Sequence, residues 1–225
     1  MFSVSWIISV SLLMLSFFGI VFTAKFFAKP VDNYKVSFFR MFPFEMSKTA
    51  EENGRFYNFS TYLFSGMCFT PIIVIVEKES KLVNLNPLSI FIACLLGLAA
   101  LCFVFANVFD VTHTKPHLTI FGLFTLLTLL GGILVTTRGI IAFDLFKKHG
   151  TQENIFLFTS ILSAVVVCFV LCIIANPKLR FWAKLDEVDG EYFRPKRFPL
   201  AYSEWAILLA LFLIEILYFI QLLIR

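Results

Sequence analysis

The sequence predicts an all-α polytopic membrane protein, a single bundle of six transmembrane helices. Three observations carry that reading. Apolar residues make up 59% of the 225 and charged residues only 15%, with a mean hydropathy of +0.87; soluble domains are nearer half apolar and a quarter charged. The apolar residues also come in blocks of about twenty, the helical length that crosses a bilayer core of roughly 30 Å. Finally, the stretches between blocks are too short to fold as ordinary domains. The whole chain, 1–225, therefore reads as one transmembrane domain whose helices satisfy their own backbone hydrogen bonds.

The first block, 6–24, reads WIISVSLLMLSFFGIVFTA. No basic segment precedes it, and Lys25 and Lys29 follow it, so it reads as an uncleaved span rather than a signal peptide. The second, 57–76, is the weakest, because it begins polar and contains Pro71 after Thr70, where a kink is expected. The third, 88–109, holds ACLLGLAALC, with Ala93 and Gly97 in the small-xxx-small spacing that lets helices approach closely. The fourth, 117–143, is the longest and is expected to tilt or to end near Thr137. Spans 154–176 and 203–224 complete the set. Between them lie two long loops, 25–56 and 177–202, and a tight link, 110–116.

With six spans, those three connections share one side and both termini share the other. The three connections carry thirteen Lys and Arg and the termini side six. The positive-inside rule therefore places the long loops in the cytoplasm and the termini outside. The sequon Asn58-Phe59-Ser60 falls at the membrane edge on that cytoplasmic side, where glycosylation is not expected. The charges thus orient the integral membrane protein, but nothing in the sequence says which membrane holds it.

All five cysteines lie inside apolar blocks, where they act as small hydrophobes. Without a CxxC pair they suggest no metal, and a net charge of +4 suggests no nucleic acid. No cofactor is implied. Membrane lipids are the expected partners, and homo- or hetero-oligomers within the membrane are compatible with the composition.

The long loops are not plain linkers. YKVSFFRMFPFEM (34–46) mixes phenylalanines with Lys35 and Arg40, and EYFRPKRFP (191–199) echoes it. Rings and cationic heads together suit the headgroup layer. Such segments lie on the membrane surface or roof a lipid-headgroup site, with Arg40, Asn58, Arg194 and Trp205 as candidate headgroup contacts.

The tight link reads NVFDVTHTKPH and brings Asp110, His113 and His117 within eight residues. A carboxylate with two imidazoles is the chemistry of zinc or of acid–base work. Pro116 interrupts any helical H-x-x-x-H pair, so an ordinary polar hairpin is the plainer reading and no metal is assigned. Glu204, beside Trp205 at the start of the sixth span, lies at the same membrane end. Asp110, His113, His117 and Glu204 are accordingly the catalytic candidates.

Glu215 sits in the middle of LFLIEILYF. It lies eleven residues, three helical turns, from Glu204 and roughly 18 Å below the Ser203 end, near mid-bilayer. A carboxyl there faces the bundle interior. We read it as a neutral hydrogen-bonding group between helices, with Thr125 and Thr128 of the fourth span at matching depth. An ion pair or a proton-coupling role is the alternative. Arg138 lies deeper, where its side chain is expected to snorkel to the opposite interface.

No P-loop, GxSxG, HExxH or EF-hand pattern occurs. The order of features resembles the six-span family of the DRAM proteins and the post-GPI-attachment lipid-remodelling proteins, with its prokaryotic relatives. The stretches that carry it are FPFEMSKTAEENGRFYNFSTYLFSG, FDVTHTKPH and the fourth span beginning at His117. The chain has PFEM where the family suggests a Ser-Asp/Glu-Leu-Gly type sequence, and its charges point inward a first loop the family would place outside. The resemblance implies a role at membrane lipids and transfers no catalytic residue. The function expected is thus lipid interaction or membrane organisation without catalysis. A lipid-modifying enzyme acting at the 110–117 end and a carrier using Glu215 are the rivals.

Overall fold

A computed structural model describes residues 4–26, 37–39, 41–48, 51–77, 85–108, 114–146, 152–181, 186–188, 191–193 and 197–223. Its helices are α1 (Val4–Phe26), α2 (Pro43–Lys48), α3 (Glu51–Met67), α4 (Pro71–Glu77), α5 (Asn86–Val108), α6 (Thr114–Phe146), α7 (Gln152–Ile174) and α8 (Pro199–Leu223). A short 3₁₀ turn, Pro177–Phe181, follows α7. The described strands are β1 (Asp186–Val188) and β2 (Glu191–Phe193), an antiparallel hairpin pairing Glu187 with Tyr192. Six helical stretches are long and apolar enough to cross a membrane: Val4–Phe26, Gly54–Val76, Asn86–Val108, Lys115–Phe146, Asn154–Ile174 and Pro199–Leu223. The all-α six-span architecture is therefore observed, with α3 and α4 together forming the second span.

That second span breaks where the proline predicts. Pro71 has no N–H to donate and its ring excludes the preceding turn, so the helix opens across Cys68–Thr70 and restarts at Pro71. The Thr70 hydroxyl caps the break by donating to the Met67 carbonyl at 2.7 Å. Phe69, in the break, lies over Gly97 of α5, where any Cβ would collide with its ring. The small residue expected to admit a neighbouring helix admits one aromatic ring instead.

The fourth span does not end near Thr137. Glycines 131, 132 and 139 sit inside it without breaking it, and α6 runs unbroken to Phe146 for 33 residues. At 1.5 Å per residue that is about 50 Å, well beyond a 30 Å core, so this helix tilts or projects. Its glycines serve packing: a Cβ on Gly132 would strike Val167 and Ile214, and one on Gly131 would strike Leu96.

The last helix is the axis of the bundle. Most of α8 is buried, including Ile207, Leu211, Ile214, Tyr218 and Phe219. By contrast, α7 exposes Phe158, Ile161, Val165 and Phe169 along one side, as a helix at the lipid boundary does. Stacked rings join α1 to α8, with Phe17 and Phe212 centroids 3.9 Å apart. Trp6 of α1 donates its indole N–H to the Phe219 carbonyl at 3.0 Å, closing the same pair at the end that carries both termini.

Candidate functional site

The loop ends of α1, α3, α5, α6 and α8 meet under a lid made from the described residues of the two long loops. The lid is built by two Phe-Pro pairs. Pro43 and Pro199 each stand at the first position of a helix, where a missing N–H is harmless. The phenylalanines before them, Phe42 and Phe198, pack edge to face at 5.3 Å, and the Phe198 amide donates to the Phe39 carbonyl at 2.6 Å. The FP echo is thus a contact between the two loops. Glu45, at the third position of α2, reaches back to accept the Phe42 amide at 2.9 Å, one half of a capping box.

Beneath this lid lie His117 and Glu204. The His117 Nε2 and the Glu204 Oε1 are 2.7 Å apart, with both residues almost fully buried. Phe42 and the imidazole pack perpendicular to each other, with centroids 6.2 Å apart. Glu45, also buried, and the phenol of Tyr57 from α3 lie within electrostatic reach of Glu204. The Tyr57 hydroxyl sits between Thr61 and Asn107, but neither contact closes to bonding geometry, and the Asn107 amide nitrogen is likewise unbonded. Trp205 is buried next to Glu204 and donates its indole N–H to the Met41 carbonyl at 2.9 Å, tying α8 to the lid. Phe38 packs edge-on against that indole at 4.8 Å.

Of the residues singled out in the sequence, the structure therefore joins His117 to Glu204 and sets Trp205 beside them. Asn58 is half-buried on α3, one position from Tyr57. Asp110, His113, Arg40 and Arg194 lie outside the described residues. Among the described residues no group of His, Cys, Asp and Glu is disposed to hold a metal ion. Glu45, Tyr57 and Asn107 were not foreseen. A signal for Glu45 did exist, since Pro at the first helical position and Glu at the third spell a helix start. Nothing local marks Tyr57 or Asn107, which come together only because α3 and α5 pack side by side.

Helix α3 also has a second face. Phe56, Phe59, Ser60 and Leu63 line a groove of about 430 Å³ shared with Leu15, Gly19 and Phe22 of α1. Gly19 forms its floor, since a Cβ there would lie against the Ser60 hydroxyl. The buried Ser60 also completes the sequon, so Asn58-Phe59-Ser60 is folded into a helix within a span.

Two deeper expectations need correction. Thr125 and Thr128 do not reach Glu215: their hydroxyls donate to Phe121 and Phe124 carbonyls of their own helix, both at 2.8 Å. Threonine in a helix readily bonds the carbonyl one turn back, and that local bond wins. Glu215 is fully buried with neither carboxyl oxygen hydrogen-bonded; the Cys68 thiol beside it interacts without reaching bonding geometry. Between Glu204 and Glu215 the helix buries Leu208, Leu211 and Phe212, so no polar chain links the two acids along α8. Arg138, expected to snorkel, is instead 3% exposed, because Ser89 and Gln221 bind it within the bundle.

Comparison with family models, curated proteins and solved structures finds no match. The site's meaning rests on its own geometry.

Proposed function

We propose that the chain is a lipid-binding multi-pass membrane protein that seats an acyl chain of a membrane lipid between α1 and α3, without covalent chemistry. The groove carries this reading. Its volume falls within the 300–1,000 Å³ typical of small-molecule sites, and its rim is exposed phenylalanine and leucine on two spans. A surface at that depth meets lipid tails rather than water. Photo-cross-linking with a phosphatidylcholine bearing a diazirine in its acyl chain tests it. Leu63→Trp fills the groove and is expected to lower labelling of α1 and α3 several-fold. Val165→Trp, on the exposed side of α7, is the control. Equal labelling in both variants would overturn the reading.

A second reading, acid–base chemistry on a lipid headgroup, is favoured by one observation, the buried His117–Glu204 pair. A carboxylate beside an imidazole fixes its tautomer and orientation, the arrangement a general base needs. Removing one partner of a buried pair costs about 3–5 kcal/mol, so stability must be followed beside activity. Glu204→Gln, which keeps an oxygen acceptor toward His117, is the informative variant. On the catalytic reading it leaves the thermal midpoint near the parent's while altering the membrane lipid profile; an unchanged profile would remove that reading.

A further inference from the structure

At the end that carries both termini, three helix ends converge on one cation. Arg138 donates from Nε to the Ser89 hydroxyl at 2.8 Å and from Nη1 to the Gln221 side-chain oxygen at 3.1 Å. Its guanidinium lies 5.8 Å from the centre of the Tyr218 ring. Each of those neighbours is itself held. Gln221 donates its amide to the Val135 carbonyl at 3.1 Å, and Tyr218 donates its hydroxyl to the Ser89 carbonyl at 2.5 Å. Gly139 lets the cluster close, because a Cβ there would run into the Ser160 hydroxyl and the Gln221 amide.

Among the described residues the charge balance of this cluster is incomplete. A guanidinium has five N–H donors, and the described residues engage two of them, both by neutral oxygens. Among the described residues no carboxylate pairs with Arg138. Glu215, the nearest acid along α8, lies six residues deeper, with neither carboxyl oxygen hydrogen-bonded. Ser89 stands in the first turn of α5, at the positive end of that helix's dipole. A buried cation that the described residues meet only with dipoles favours an anion beside it, and ionisable groups inside spans mark functional sites.

Depth identifies the class of ligand. Ser89 is three residues from the start of α5, Gln221 two from the end of α8 and Arg138 eight from the end of α6, about 12 Å. The cluster therefore lies near the hydrocarbon boundary, where lipid phosphates are found, and not at mid-bilayer. The geometry points to a phosphate-binding site at the termini end of the bundle, with the two unengaged Nη2 donors of Arg138 as its centre. An Nη2 N–H donates a charge-assisted bond to a phosphate oxygen. The site faces the leaflet opposite the His117–Glu204 end and does not depend on the α1–α3 groove.

The test uses the full chain in dodecyl maltoside, following its thermal midpoint with added phosphatidylglycerol, diacylglycerol or inorganic phosphate at matched ionic strength. Phosphatidylglycerol is expected to raise the midpoint and diacylglycerol, which lacks the phosphate, is not. A rise with phosphatidylglycerol alone assigns a lipid headgroup; a rise with inorganic phosphate as well assigns a free anion, and either supports the site. Arg138→Gln is expected to weaken apparent phosphatidylglycerol affinity about tenfold or more, the loss of one charge-assisted bond. Should that variant fail to fold, native mass spectrometry of the parent protein decides, expected to show phosphatidylglycerol retained in preference to diacylglycerol. Equal retention of the two lipids, equal midpoint shifts, or a full phosphatidylglycerol response in folded Arg138→Gln would each overturn the proposal.

Discussion

Glu215 is buried at the centre of the bundle with no hydrogen bond to either carboxyl oxygen, and this reverses what its sequence position suggests. A carboxyl shared between helices would make leucine a costly replacement. An unsatisfied one makes leucine favourable, because leaving a buried polar group unpaired costs about 1–3 kcal/mol that an apolar side chain of similar size avoids. Glu215→Leu is therefore expected to raise the thermal midpoint in detergent. Glu215→Gln, which keeps two unpaired polar atoms in the same place, is expected to behave like the parent. A lower midpoint for the leucine variant would show that the carboxyl has a partner in the membrane. A folded glutamine variant that loses a pH-dependent transport function would restore the carrier reading.

Among the elements, the broken second span is the part whose packing is most specific. Pro71 opens the helix, Phe69 swings out of the opening, and Gly97 on α5 is the only residue type that leaves room for its ring. Gly97→Ala is expected to destabilise the bundle by about 1–3 kcal/mol, the usual range for overpacking. The ring is what the new methyl meets, so the two sites must be coupled. Gly97→Ala with Phe69→Ala should then cost less than the sum of the single changes, which a double-mutant cycle of unfolding measurements would read. Additive losses would mean that Gly97 serves the helix backbone and not the ring.

For the whole molecule, six spans with both termini together make a labelling pattern the expectation. Single cysteines placed at Ser3, Ser47 and Ser80 in a background lacking the five native cysteines should react with an impermeant reagent in two groups. Positions 3 and 80 are expected on one face and position 47 on the other. With thirteen basic residues on the side of position 47 against six, positions 3 and 80 are expected to label from outside. Labelling of 47 and 80 from the same face would defeat the six-span arrangement.

Span number, span order and the proline break were legible in the sequence because each depends on local quantities: the length of an apolar run and the missing N–H of one residue. The end of the bundle where His117 and Glu204 meet was legible too, since parity alone places the starts of the fourth and sixth spans at one membrane face. Side-chain partners were not legible. Whether Thr125 and Thr128 bond Glu215 or their own backbone is a contest between an intrahelical carbonyl always in reach and a partner whose distance depends on how α6 and α8 are rotated. Arg138 followed the same logic in reverse, drawn inward once Ser89 and Gln221 from two other helices stood within bonding distance. A hydrophobic pattern fixes which residues enter the membrane, because burial in lipid is a property of each segment. Only the packed bundle decides which polar groups face one another, because that depends on the mutual rotation and depth of helices far apart in the chain.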